Sequence, residues 1–192
     1  MTLLSKIFDR NNSQKSLQSK LVVLGSSGAG KTTFIRYLER GKPVEEDVRT
    51  TLGIDYRTNP VKMENWEFTL IDIGGQNIYQ KTFWSLGISQ ADAVIYLFDG
   101  TIALDSPEFL GNLKQFEYVL KIVETEIPLL ILINKQDLPN CVSAEEFIGI
   151  SGLNKLIIRS MTFLQTSAKY GNGVETAMQW LIEKLSYINS GS

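Results

Sequence analysis

The sequence contains no histidine, a single cysteine, few prolines and no long apolar run. Without histidine, imidazole acid–base chemistry and His-ligated metal sites are excluded, so catalysis would have to draw on backbone amides, lysine, glutamine, threonine, carboxylates and a bound ion. The lone thiol, Cys141, excludes an intrachain disulfide and fits a reducing compartment. No stretch approaches the roughly 18 apolar residues that a bilayer crossing needs, and the start lacks the basic, apolar, small-residue order of a secretory signal. Position 2 is threonine, which rules out a myristoylation signal, and the tail Asn189–Ser192 offers no prenylatable cysteine. A net charge of -2 leaves no broad basic footprint for nucleic acid. The expected setting is cytoplasmic, and the expected state a monomer.

What is present is concentrated in one stretch. The apolar run Leu21–Leu24 leads into Gly25, Ser26, Ser27, Gly28, Ala29, Gly30, Lys31, Thr32 and Thr33, and a helix opens at the far end. Such a turn aims unpaired helical N–H groups at whatever lies in the loop, and only an anion gains from that. Lys31 can reach outer phosphate oxygens, and the Thr32 hydroxyl can become a ligand of Mg²⁺. The competing reading is a glycine-rich link with no ligand.

The chain has enough length and apolar content for one core. Residues 1–20 carry a net +3, and Leu3, Leu4, Ile7 and Phe8 form one stripe of a short amphipathic helix. A helix this short needs a surface: the domain itself, a membrane interface or a partner groove. Residues 1–19 are thus expected to be helix and polar linker, 20–188 the folded domain and 189–192 a tail. Beyond the glycine loop, a helix runs to about Glu39, and 41–51 is a polar loop. Ile54–Val61 and Trp66–Ile71 read as antiparallel strands, and Ala93–Phe98 and Leu129–Ile133 as strands covered on both faces. Phe109–Thr125 is a crossover helix, Thr162–Thr166 a last strand and Val174–Leu185 a last helix. The sum is an α/β fold: a six-stranded, mostly parallel sheet with one antiparallel edge region and helices on both faces.

In such a fold ligands lie beyond the carboxyl ends of the strands, so the polar residues there form one site. Asp72 is placed to hold the ion, mostly through water; Gly74 and Gly75 can face the outermost phosphate; Gln76 can orient a water for in-line attack. Thr51 can ligate Mg²⁺ and read the third phosphate from the other side, with Thr50 as its competitor. The Asp137 carboxylate matches the N1–H and 2-amino group of guanine, whereas adenine would leave it unpaired. Lys135 can lie along the base, and Asn134 can tie this loop to the glycine loop. Ser167, Ala168 and Lys169 form the far wall, with the Ala168 N–H directed to guanine O6.

These five stretches, Gly25–Thr32, Thr51–Gly53, Asp72–Gln76, Asn134–Asp137 and Ser167–Lys169, resemble a small Ras-superfamily GTPase over residues 20 to about 188. Asn77 after the glutamine, the run from Asn134 to Asn140 ahead of Ser143, and the N-terminal amphipathic stripe are similar to the Arf/Arl branch, in a divergent form. The resemblance implies a P-loop NTPase G domain that binds GTP and GDP with Mg²⁺ and hydrolyses GTP slowly unless assisted. It also implies exchange factors, activating proteins and effectors acting at the switch loops, and weak membrane contact through Leu3, Leu4, Ile7 and Phe8, in membrane traffic or membrane-associated signalling. Lys31 and Gln76 would be the catalytic side chains, and Thr32, Thr51 and Asp72 the metal side.

The chain departs from the Arf pattern where it carries Ile54, Ile71 and Leu86 in place of an aromatic triad. Its segment from Thr51 to Asp72 is also about two residues longer. Arg49, two residues before Thr51, is either an exposed loop arginine or a built-in arginine finger. Rival readings are a GTP-binding scaffold with negligible hydrolysis, and a P-loop ATPase or kinase, which Asp137 disfavours.

Overall fold

In the computed structural model, residues 16–46, 48–49, 51, 53–57, 59–74, 80–153 and 160–190 are described. The expectations for the N-terminal helix and for Thr50, Gly75 and Gln76 fall outside them. The sheet comprises β1 (Leu17–Gly25), β2 (Ile54–Tyr56), β3 (Val61–Met63), β4 (Trp66–Ile73), β5 (Ala93–Asp99), β6 (Leu129–Asn134) and β7 (Met161–Gln165). Its order is β2-β4-β1-β5-β6-β7, with β3 also paired to β4. Pairings are parallel except those of β2 and β3 with β4. The helices are α1 (Lys31–Arg40), α2 (Gln80–Ile88), α3 (Pro107–Ile122), α4 (Ala144–Ser151) and α5 (Val174–Ser190).

Period-2 alternation in the central strands sorts the core into two layers. Leu21 and Val23 of β1, with Ile95 and Leu97 of β5, pack among Phe34, Ile35 and Leu38 of α1 and Ala177, Met178 and Leu181 of α5. Val22 and Leu24 point the other way, with Tyr96 and Phe98, into Trp84 of α2, Phe116 and Val119 of α3 and Phe147 of α4. Each such large side chain stabilises the fold by about 1.5–3 kcal/mol when fully buried. The second layer is aromatic: Tyr96 lies 4.8 Å from both Phe98 and Phe116, and Phe98 lies 4.6 Å from Phe147, centroid to centroid.

The edge strand differs from its expected form. A continuous strand over 54–61 is instead two short pieces, separated by a stretch that contains Pro60. Proline has no N–H for the ladder and is tolerated at an edge or a bulge. Register shows what the break does: Tyr56 pairs with Ile71 and Val61 with Phe68, so four positions of the edge are counted between these pairs where β4 has two, Thr69 and Leu70. The edge holds two residues more than its partner. α2 and α4 were not anticipated as helices. α4 carries a plain start signal, a capping box in which Ser143 Oγ accepts from the Glu146 N–H while Glu146 Oε2 accepts from the Ser143 N–H.

Candidate functional site

At the carboxyl end of β1 the chain turns through Gly25–Gly30 into α1. α3 and α4 are capped by Ser106 and Ser143, but α1 is preceded by Gly30, with φ 95°, and has no side-chain cap. Phe34 N–H bonds back to Gly30 O at 2.8 Å. The earlier first-turn N–H groups have no partner within the helix and remain available to an anion. Glycine at 30 has a second cause: a Cβ there would run into the Asn134 side-chain amide.

Lys31 curls back over the loop, its Nζ donating to Gly25 O at 2.9 Å and Ser26 O at 2.7 Å. It is buried, and desolvation pulls its pKa down to about 8 against the opposing pull of Asp72. A buried ammonium beside uncapped amides is strongly disposed to take up negative charge.

Beside Lys31 lies a compact polar corner. Asp72, at the carboxyl end of β4, is fully buried. Its Oδ2 accepts from Thr32 Oγ1 at 2.7 Å and from Thr51 Oγ1 at 3.1 Å, and the two hydroxyls are 2.8 Å apart. Three residues far apart in sequence, from α1, the loop before β2 and the end of β4, thus come together. Asp72 Oδ1 is buried without a hydrogen-bond partner. Two hydroxyl oxygens around a buried carboxylate with one oxygen unspent form a hard, all-oxygen donor set suited to Mg²⁺.

Gly74 sits close by, with no room for a Cβ against Thr51 O. Its N–H, assigned from sequence to the outer phosphate, here donates to Gly53 O at 2.8 Å. Ser27, Gly28, Lys31, Thr32, Arg49, Thr51 and Gly74 line a cavity of about 100 Å³. It shares Gly28, Gly30, Thr33 and Val48 with a second cavity of about 340 Å³, bounded by Asn134, Lys135, Asp137, Ala168 and Lys169.

Asn134 organises this second end. Its Nδ2 donates to Ala29 O at 2.8 Å, tying the glycine loop to the end of β6. Its Oδ1 accepts from the Ala168 N–H at 2.8 Å and from Thr166 Oγ1 at 3.3 Å. The Ala168 N–H expected to face guanine O6 is therefore engaged by Asn134 in this structure. Asp137 Oδ1 accepts from Ser167 Oγ at 2.6 Å. Asp137 is exposed, not buried as its discriminating role requires, so that burial would come from the base itself.

Sequence reasoning missed three supporting residues. Asp99, at the end of β5, holds Lys135 Nζ at 2.6 Å. It occupies a strand end, so the rule that found Asp72 and Asn134 could have found it. Thr166 supports Asn134, and Val44, whose N–H donates to Lys169 O at 2.9 Å, closes the second cavity from a loop that reads as merely polar.

Comparisons with known proteins bear on this arrangement. The profile of the ADP-ribosylation factor family matches residues 4–185, nearly the whole chain. The chain belongs to that family. ADP-ribosylation factor-like protein 1 of Drosophila melanogaster is 33% identical over 174 residues, 88% of this chain and 91% of the relative. ADP-ribosylation factor-like protein 3 of Chlamydomonas reinhardtii is 32% identical over 191 residues, 96% of this chain and 99% of the relative. The Arl6 BBS3 small GTPase of Trypanosoma brucei, solved with bound nucleotide analogue GppNp, superimposes with a TM-score of 0.71 at 23% identity. That match covers 89% of this chain and 99% of the other, and shows a shared fold. This ADP-ribosylation factor relative is thus a divergent small GTPase with a P-loop NTPase-like fold, and the family is one of GTP-binding switches. Of its positions matching the Arf aromatic triad, Ile71 is buried, Ile54 half-buried and Leu86 exposed.

Proposed function

We propose that residues 20–188 form a guanine-nucleotide switch that binds GTP with Mg²⁺ and hydrolyses it to GDP and phosphate. The observation that carries this reading is the Thr32–Thr51–Asp72 corner, assembled from three separate elements beside Lys31 and the uncapped start of α1. Mg²⁺, when bound, neutralises charge on the outer phosphates. Thr32 and Thr51 would hold it directly, and Asp72 through its waters. Lys31 and the amides of residues 25–33 stabilise charge that grows on the phosphate oxygens, at fixed positions that need little reorganisation. Gln76 orients the attacking water, and Gly74 and Gly75 contact the third phosphate. Loss of that phosphate frees the loops carrying Thr51 and Gly74, which is the switching event.

At the other end Asp137 pairs with the guanine edge while Asn134, Lys135, Ser167, Ala168 and Lys169 frame the base. Exchange factors, activating proteins and effectors would read the surface around β2 and α2, where Tyr56 and Leu86 are about half exposed. Among the described residues no helix is long and apolar enough to cross a membrane. We place the protein in the cytoplasm as a monomer. Leu3, Leu4, Ile7 and Phe8 would give the GTP form weak contact with a membrane face, in traffic or signalling.

Phosphate release from GTP by the purified chain, by Gln76→Leu and with added cell extract tests the hydrolytic reading. Slow release that extract accelerates only with Gln76 present is the expected result. No release under any condition would leave a GTP-binding scaffold, and displacement of labelled GDP by ATP as readily as by GTP would overturn guanine specificity.

A further inference from the structure

Arg57 stands immediately behind the polar corner and has no part in the mechanism above. It is the first residue after β2, and its N–H still donates to Leu70 O at 3.0 Å, so its backbone continues the ladder with β4. Alternation puts Asp55 and Arg57 on the face that also carries Leu70 and Asp72, against α1. There the half-buried guanidinium lies among three carboxylates. Its Nη2 is 3.3 Å from Asp55 Oδ2 and 3.7 Å from Asp72 Oδ2, and its Nε is 3.8 Å from Glu39 Oε1. Nε is buried without a hydrogen bond, so the charge is shared among several partners and committed fully to none.

Asp72 Oδ2 therefore receives two hydroxyls and one cation, while its Oδ1 has no hydrogen-bond partner. A buried carboxylate without positive charge nearby is costly, and a cation close to a metal site repels the metal. The same arginine serves the first need and imposes the second effect. Asp55, the most exposed of the three carboxylates, is a second partner towards which the guanidinium can move without leaving ionic contact.

We propose that Arg57 is a positioning residue that competes with the divalent cation for Asp72. Without the cation, Arg57 adds to the positive charge that Lys31 already presents to Asp72 and pins the end of β2 to β4 and α1. When the cation binds at the Thr32–Thr51–Asp72 corner, Arg57 is displaced towards Asp55 and Glu39. Cation occupancy is thereby coupled to the anchoring of the edge strand, whose two-residue excess begins at Arg57. This inference rests on the guanine-nucleotide reading above.

The test follows release of a fluorescent GDP analogue from the full chain across a Mg²⁺ titration, with thermal melting measured in excess Mg²⁺ and in chelator. Wild type should retain the analogue in a Mg²⁺-dependent way. Arg57→Gln should move the half-point about tenfold towards lower Mg²⁺, the ratio expected for removing one nearby positive charge. It should also melt lower than wild type in chelator and alike in excess Mg²⁺. Arg57→Lys keeps the charge and should restore most of both effects. Asp55→Asn removes the alternative partner, leans Arg57 on Asp72 and should move the half-point the other way; being on an exposed carboxylate, it also serves if Arg57→Gln fails to fold. Half-points identical to wild type in the folded variants overturn the coupling while leaving nucleotide binding intact. Absence of Mg²⁺-dependent GDP retention in wild type itself overturns the nucleotide reading together with this inference.

Discussion

The two ends of the cleft are built on different principles. The base end is centred on neutral hydrogen bonds that radiate from one buried amide, Asn134, to Ala29, Thr166 and Ala168, with its charged groups, the Lys135–Asp99 pair and Asp137, already partnered around that hub. The metal end is held by charge: a buried lysine, a buried carboxylate, two hydroxyls and an arginine shared among three acids. A network of satisfied neutral bonds keeps its geometry whether or not a ligand is present. A set of buried charges is balanced only when every charge has a partner, so it responds when a phosphate or a cation arrives. A switch needs both: a fixed grip on the base, and an end whose electrostatics depend on what is bound.

The sharpest way to break the comparison is to remove its neutral hub. Asn134→Ala strands Ala29 O and the Ala168 N–H in a buried setting. Each group left unpaired costs about 1–3 kcal/mol, so the expected loss is on the order of 3 kcal/mol, seen as a fall of roughly 6–12 °C in melting temperature. Guanine affinity should fall with it, because the glycine loop and the base loop lose their link. Equal melting temperatures for variant and wild type would show that the two loops hold together without it.

At the charged end, Lys31 makes stability depend on pH. Its pKa falls from 10.5 unfolded to about 8 folded. Below pH 8 both states carry the charge, and the folded state bears the full burial penalty. Between about 8 and 10.5 the unfolded chain binds more protons than the folded one, so nucleotide-free protein should gain stability as pH rises, by up to about 3 kcal/mol. Near pH 10 the trend should reverse. Burial holds the Tyr96 and Tyr37 hydroxyls above their usual range, so the unfolded tyrosines ionise first. Urea unfolding from pH 7.5 to 11 checks the curve, and Lys31→Met should flatten its rising limb. Nucleotide binding by wild type should weaken over the same rise, as the ammonium that grips phosphate is lost.

Legibility in the sequence follows the same division. The strand ends were readable because an apolar run stops abruptly at a polar residue. Asp72 and Asn134 stand at such stops, and Ser167 follows the last strand; Asn134 and Ser167 lie together at the base end, whereas Asp72 stands at the metal end with two strands between. The central sheet was readable because strands covered on both faces are uninterrupted apolar runs. The edge was less so, since a residue that faces solvent on one side carries little pattern; the reading of one strand over 54–61 passed over Pro60, where the structure breaks it. α2 escaped notice because its apolar residues do not form one clear stripe. Arg57 was invisible for a different reason: its importance lies in three carboxylates from α1, β2 and β4, and no local spacing announces that meeting.

A smaller effect sharpens the metal end. Thr51→Val keeps the shape but removes the hydroxyl that lies 3.1 Å from Asp72 Oδ2 and 2.8 Å from Thr32 Oγ1. About 1 kcal/mol of stability should go, and Mg²⁺-dependent retention of GTP should weaken more than that of GDP, because only GTP has the third phosphate that Thr51 is proposed to read. Equal weakening for both nucleotides would confine Thr51 to holding the cation.

Arg49 carries the smallest expected change. Its side chain is exposed, yet it lines the phosphate end of the cleft beside Thr51 and Gly74. An exposed guanidinium is already well solvated and loses side-chain entropy when fixed against a phosphate, so position alone does not make it a contributor. Stabilising the transition state requires that it be held there before the reaction, and among the described residues no hydrogen bond or ion pair is seen to hold it. Arg49→Ala should therefore leave single-turnover GTP hydrolysis within about twofold of wild type, on the order of 0.4 kcal/mol. A loss of a hundredfold or more would mean that the bound nucleotide itself orders the arginine, and that the charged end of the cleft completes its own catalytic set without a partner protein.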